Sequence, residues 1–341
     1  MKREVSIAFQ TDKTPAQYAA LAQLVDQYAF DAVSVYCDAP FHPAYSALLL
    51  MAPHLHRARI GPAAIPPARI PPIDIAANTA LLAQLAQGGV YIGLARGAWL
   101  DEAGIAEPAR PIQAIREAAA VVRYLLSGAV GGGVAGEFYR IAPHIRAPYP
   151  LPPPDQPIPL LIGTWGRKLA ALAGEIADEV KVGGSANPDL VPVIESWIAD
   201  GERTANRPAG STGVVLGAVT VVDEDREQAR ATARRAVALY LPVVAPLDPT
   251  LTVEPELIHR IRDAVRANRP EDAAPLISDE LLDRFALAGR PSDIVAHAEA
   301  IYAAGARRIE FGTPHGCGPD PAPAIRLLGE KVLPALAHWR T

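Results

Sequence analysis

The sequence predicts a (β/α)8 barrel, and three observations predict it. Short apolar runs of strand length alternate with helical patterns along nearly all of the 341 residues, and eight such runs can be counted. Most are apolar throughout rather than alternating, as expected of strands covered on both faces by crossover helices. Third, eight βα units in series suit a closed barrel better than a doubly wound sheet, although strand order itself is not written in the sequence.

The elements follow in order. "EVSIAF" is the first strand candidate, and "PAQYAALAQLVDQYAF" is the helix that leads to the second, "DAVSVYCD". "RARIGPAA" is the third, and "PIDIAANTALLAQLAQ" leads to the fourth, "VYIGLARG". "IPLLIGTW" and "DEVKVGG" flank the helix "GRKLAALAGEIA", and "GVVLGAVTVV" is the seventh. "SDIVAHAEAIYAAG" precedes the eighth, "RRIEFGTP". Leu and Ala recur at three- and four-residue spacing in each helix. "GRPSDIV" and "ANPDLV" place polar N-cap residues ahead of the apolar stripe.

Two segments exceed a single βα unit. Residues 129–157, after strand four, are rich in Gly and Pro, with "GEFYRI" expected as a short hairpin strand. Residues 224–289, after strand seven, hold the helical patterns "REQARATARRAVALYLPVV" and "PELIHRIRDAVRAN". The expectation is one domain over 1–341 carrying both insertions, which in barrels sit over the catalytic face or at an oligomer interface.

Composition narrows the function. A net charge of −5, with 50% hydrophobic and 20% charged residues, fits a soluble globular protein and argues against a nucleic-acid partner. Cys37 and Cys317 form neither a metal spacing nor a disulfide framework, so no metal is expected. "MKREVSIAF" has no secretory apolar region, and the longest apolar run, "AYSALLLMAPHL", is too short for a membrane span. The expectation is a cytoplasmic protein that acts on a small molecule.

Barrel chemistry lies at the C-terminal strand ends. "GTWGRK" (163–168) sets small residues and an Arg–Lys pair at a helix N-terminus, where free N–H groups and the helix dipole suit an anion. An ordinary βα turn with exposed basic residues is the alternative. In "GLARGAW", Arg96 reads as a salt-bridging residue of a tight turn. In "CDAPFHPAY", Asp38 and His42 resemble an acid/base pair, but a loop role for His42 is preferred. His54 and His56 lie toward the opposite end and read as structural.

Taken together, these stretches resemble one family. "FALAGRPSDIVAHAEAIYAAGARRIEFGTPHG", "PIPLLIGTWGRKLAALAGEIADEVKVGGSANPDLV" and "RIGPAAIPPARIPPIDIAANTALLAQLA" are similar to the methylenetetrahydromethanopterin reductases, in the deazaflavin branch of the luciferase-like superfamily. The resemblance covers nearly the whole chain and implies a (β/α)8 barrel that binds coenzyme F420 across the strand ends. It implies a non-proline cis peptide behind the ring at Ala63–Ala64. It sets Gly97 and Ala98 beside the ring, and Gly163, Thr164, Gly166, Arg167 and Lys168 around the phosphate-bearing tail. Asn187 falls in the next contact region. The flanking Pro62, Pro66 and Pro67 reduce the entropy of the unfolded segment.

The chain also departs from the family pattern. Ala8 stands where the family's first strand carries an acid, Ala39 follows Asp38 where the superfamily often has His, and Ala98 replaces an acid after strand four. Asp38 and Gln10 are the remaining polar candidates near the reacting atoms, while Trp99 or Trp165 could stack on a flat substrate. The reading is an F420-dependent hydride-transfer enzyme, possible substrates including a methylene-tetrahydropterin, and by analogy a homodimer. The alternatives are an FMN-dependent monooxygenase and a non-catalytic cofactor-binding barrel.

Overall fold

The computed structural model describes residues 2–153 and 156–340; Met1, residues 154 and 155 of the first insertion, and Thr341 lie outside the described residues. Among the described residues nine parallel-paired strands are formed: β1 (Glu4–Phe9), β2 (Ala32–Val35), β3 (Arg59–Pro62), β4 (Ile92–Ala95), β5 (Leu160–Gly163), β6 (Glu179–Gly183), β7 (Gly213–Val222), β8 (Ala286–Gly289) and β9 (Arg308–His315). The hydrogen-bonded order is β3-β2-β1-β9-β7-β6-β5-β4. Parallel bridges Ile60↔Val90 and Ile65↔Leu94 join β3 to β4 across the seam. The sheet is thus a nearly closed eight-strand barrel, the fold class the sequence predicts.

Glycine makes that seam possible. A Cβ on Gly61 would stand 2.3 Å from the Tyr91 carbonyl oxygen, and one on Gly93 would stand 2.1 Å from that of Pro62. Side chains at either position would hold the edges apart.

All eight predicted strands are present, and β8 is an addition. Its four residues, "ALAG", lack β-branched side chains and directly follow a helix, so no strand signal marks them. β8 pairs with the end of β7 (Val219↔Ala286 to Val222↔Gly289), beyond the last residue paired with β6 (Gly183↔Gly217), while β7 stays paired with β9 through a register shift between Val219 and Val221. The second insertion continues from there. Helices Arg226–Ala238 and Pro255–Arg266 pack with Phe285 and Leu241 in an apolar cluster of their own.

The first insertion differs from its expectation as well. "GEFYRI" makes one antiparallel bridge, Val134↔Ile141, rather than a hairpin strand. Its shape comes from Glu117, whose carboxylate accepts backbone N–H groups of Glu137, Phe138 and Tyr139 at 3.0, 2.7 and 3.0 Å. Charge-assisted bonds of this kind order a segment that has no ladder of its own.

The outer helices obey local rules. The first five are α1 (Pro15–Asp26), α2 (Ala44–Met51), α3 (Pro72–Leu85), α4 (Pro111–Leu126) and α5 (Arg167–Ile176). Helix α1 opens with a Thr14/Gln17 capping box, and the helix over Pro291–Ala303 has Asp293 accepting the Arg290 N–H at 2.8 Å. Among the described residues no helix is long and apolar enough to cross a membrane, and no cluster could hold a metal ion.

Candidate active site

Inside the barrel, side chains from alternate strand positions form rungs. The lowest rungs are charged. Arg308 Nε bonds Glu179 at 3.1 Å, and Arg59 reaches Glu4 at 2.6 Å and Glu179 at 3.1 Å. Burial alone would raise the Glu179 carboxyl, but Arg308 and Arg59 overcome it and hold the group below the usual carboxylate range. Above this lies Lys181 paired with Glu310, 5% and 0% exposed. Glu310 also accepts from Ser34, whose Oγ takes the Tyr91 hydroxyl at 2.7 Å.

The top rung has almost no side chains. A Cβ on Gly163 would meet only the methyls of Ala95 (3.3 Å) and Ala64 (3.6 Å) and the Leu94 carbonyl oxygen, and one on Gly183 would meet nothing within 4 Å. The Ala63–Ala64 peptide is cis. Ile65 bonds across the seam to Gly93 and Ala95, so the segment after β3 is fixed to β4. Ala64, Ala95 and Gly163 therefore form a flat apolar step at the mouth, open toward β6.

The chain on either side of this step carries several of the predicted residues. Gly97 (φ 95°) bends the β4 loop against Pro66, where a Cβ would stand 2.7 Å from the Pro66 ring. Ala98 and Trp99 are exposed beside it. Arg96 makes a two-pronged ion pair with Glu107 (2.6 and 2.7 Å), the salt-bridging role expected for it.

Beyond Gly163, the Thr164 hydroxyl accepts the Gly166 N–H at 2.9 Å, and helix α5 (Arg167–Ile176) begins at Gly166 with no side-chain cap. Arg167 and Lys168 are exposed on its first turn. The Trp165 indole donates to the Gly183 carbonyl at 2.8 Å, and the partly buried ring packs against both apolar clusters.

Gln10 and Asp38 meet at the other rim. The Gln10 amide donates to Asp38 at 3.0 Å while its own oxygen accepts the Thr11 N–H at 2.8 Å. Arg69 anchors the loop after Asp38 through the Cys37 and Phe41 carbonyls at 3.0 and 2.6 Å. His42 is an exposed loop residue, as expected.

Asn187 is brought elsewhere. It is fully buried, donates to Asp248 (2.9 Å) and Thr250 (2.7 Å), and accepts from Arg284 (2.6 Å). Its side chain braces the second insertion against β6 instead of facing the mouth. The reason is that residues 248–250 of the insertion fold back over the strand end, a long-range contact outside the reach of local patterns.

Sequence reasoning missed the charged rungs. A signal was present: Glu179 and Lys181 in "DEVKVGG", and Arg308 and Glu310 in "RRIEFGTP", alternate within otherwise apolar strands. A two-residue period of opposite charges inside a buried strand marks interior ion pairs.

Comparison with known proteins decides the family. The family model for luciferase-like monooxygenases matches residues 3–308. The chain belongs to the luciferase-like monooxygenase family. Within it, the chain is 27% identical to the 5,10-methylenetetrahydromethanopterin reductase of Methanopyrus kandleri, covering 97% of this chain and 98% of the relative. The corresponding reductase of Archaeoglobus fulgidus is 26% identical over 86% and 87%. An F420-dependent glucose-6-phosphate dehydrogenase of Nakamurella multipartita is 25% identical over 94% and 93%. This luciferase-like barrel superposes on the solved M. kandleri F420-dependent reductase with a TM-score of 0.87, at 23% identity and 98% and 99% coverage. A monooxygenase from Streptomyces bottropensis gives 0.71, at 20% identity and 97% and 99% coverage.

Proposed function

We propose that this luciferase-like protein is an F420-dependent oxidoreductase, which passes a hydride between the deazaflavin and an electrophilic carbon of a small substrate. A methylene-tetrahydropterin is the first candidate substrate. The carrying observation is a flat step of alanine methyls and glycine at the mouth running directly into an uncapped, basic helix N-terminus. A flat ring fits the step, and an anionic tail fits the helix. Relatives that cover most of the chain and are named as F420-dependent support that choice over FMN.

When bound, the deazaflavin supplies the hydride chemistry. The chain's own residues hold and orient. Ala63, Ala64, Ala95 and Gly163 back the ring without filling its space, and Gly97 and Ala98 border it. The N–H groups of the first turn of α5, with Thr164, Gly166, Arg167 and Lys168, receive the tail's negative charge. Asp38, oriented by the Gln10 amide, is the acidic group at the rim nearest the reacting atoms. Asn187 keeps the second insertion seated above the mouth.

The same reading takes residues 1–341 as one barrel unit with insertions 129–157 and 224–289, and as a cytoplasmic homodimer. Leu50, Ile73, Leu81 and Leu85 support pairing, because they remain 38–53% exposed on neighbouring outer helices.

The test is a fluorescence and absorbance titration with oxidised F420, run beside FMN. Saturable micromolar binding of F420 without FMN binding is expected. Binding of FMN alone moves the protein to the monooxygenase branch, and binding of neither overturns the reading.

A further inference from the structure

At the mouth, the Tyr36 hydroxyl has no hydrogen-bond partner among the described residues. Tyr36 follows β2, and its backbone N–H bonds the Phe9 carbonyl at 3.0 Å. Two residues beyond inward-facing Ser34, it faces the barrel interior. The ring leaves β2, crosses above β1 and reaches β9, where a Cβ on Gly312 would stand 2.6 Å from its hydroxyl oxygen. Strand order requires that crossing, because β1 lies between β2 and β9. Ala8 and Gly312 provide the room, since a longer side chain on either strand would occupy the path.

Beneath the ring lies the charged rung. The Lys181 ammonium sits 5.0 Å from the centre of the Tyr36 ring, and Glu310 fixes the ammonium in turn. A cation against a desolvated aromatic face holds that ring in one place. The hydroxyl makes no hydrogen bond to any described residue; the side chain is half-buried, and its oxygen is not among the buried atoms without a partner, so it opens into the mouth. A ring held this way presents its polar tip to whatever occupies the mouth.

We propose that the Tyr36 hydroxyl is a ligand-binding group of the mouth, donating a hydrogen bond to an acceptor atom on the molecule bound there, with Lys181 and Glu310 as its positioning residues. The inference rests on the F420 reading and adds a binding residue to it. Burial, together with the nearby carboxylates of Glu310 and Asp38, pushes the phenol well above its ordinary value. It therefore stays protonated and acts as a donor.

The experiment compares wild type with Tyr36→Phe, which keeps the ring and its contact with Lys181. Three quantities are read: melting temperature, F420 affinity by fluorescence, and affinity of the F420 complex for methylenetetrahydromethanopterin. Melting should be unchanged, because the hydroxyl has no protein partner. An acceptor on the deazaflavin weakens F420 binding about tenfold, and an acceptor on the pterin weakens pterin binding by the same factor with F420 unaffected; either supports the proposal. Where the wild-type complex takes no pterin, the F420 arm alone decides. Unchanged affinities overturn the Tyr36 assignment while leaving the F420 reading intact. A lower melting temperature with unchanged affinities assigns the hydroxyl to the fold instead. Failure of the wild type to bind F420 removes the underlying reading and this inference with it.

Discussion

The lower and upper rungs of the barrel belong to the same strands and have opposite chemistry. At the bottom and middle, β6 and β9 carry Glu179, Lys181, Arg308 and Glu310, all paired and almost wholly buried. Two residues further along each strand the positions are Gly183 and Gly312. The lower rungs fill the interior with charge that must be matched, while the glycines of the upper rung leave room beside the Tyr36 ring. The comparison teaches that stability and binding are separated by one strand period: charged rungs fasten the strands to one another, and missing side chains make the room.

The largest effect tests the lower rungs. Glu310→Ala leaves the Lys181 ammonium buried and unpaired and takes an acceptor from Ser34. Breaking a buried pair costs about 3–5 kcal/mol. Chemical denaturation should show a loss of that order; a loss below about 1 kcal/mol would mean that water reaches the rung.

A second effect concerns the rim between the two regions. His315 is buried against Phe9, and burial lowers its pKa to about 4. Its folded value lies below the ordinary 6.5, so the unfolded chain binds the proton first. Stability is therefore full above about pH 6.5 and falls as pH drops toward 4, by up to about 3 kcal/mol from this group. His297, also lowered chiefly by burial, acts in the same direction. Denaturation midpoints between pH 7 and 4 check the slope, and His315→Gln should flatten it.

The third test fills the upper rung. Gly163→Val places two methyl groups over the step where a Cβ alone just fits. F420 binding should weaken about a hundredfold, equivalent to about 2.7 kcal/mol, with the denaturation midpoint little changed. A variant that unfolds but binds normally when folded would reverse the division between rungs.

Much of the fold was legible in the sequence. Eight apolar runs, the helices between them and the role of Arg96 follow from period and local chemistry. β8 was not legible, because "ALAG" becomes a strand only when the far end of β7 presents an unpaired edge to it. The site was legible in part. "GTWGRK" announces its helix terminus, and Gln10 and Asp38 do meet. Asn187 reads as a strand-end residue, yet its partners Asp248, Thr250 and Arg284 come from a distant segment.

The sequence by itself determined the strands, their burial on both faces, the breaks at Gly and Pro and the basic first turn of α5. These depend on near neighbours in the chain and on the two periods of backbone structure. Tertiary structure alone decided which side chains share a rung: that Lys181 meets Glu310, that Tyr36 passes over Ala8 toward Gly312, and that Ala64, Ala95 and Gly163 form one step. The physical reason is closure. When β3 joins β4, strands far apart in sequence are fixed at one register, and only then do alternate residues become neighbours around a common axis.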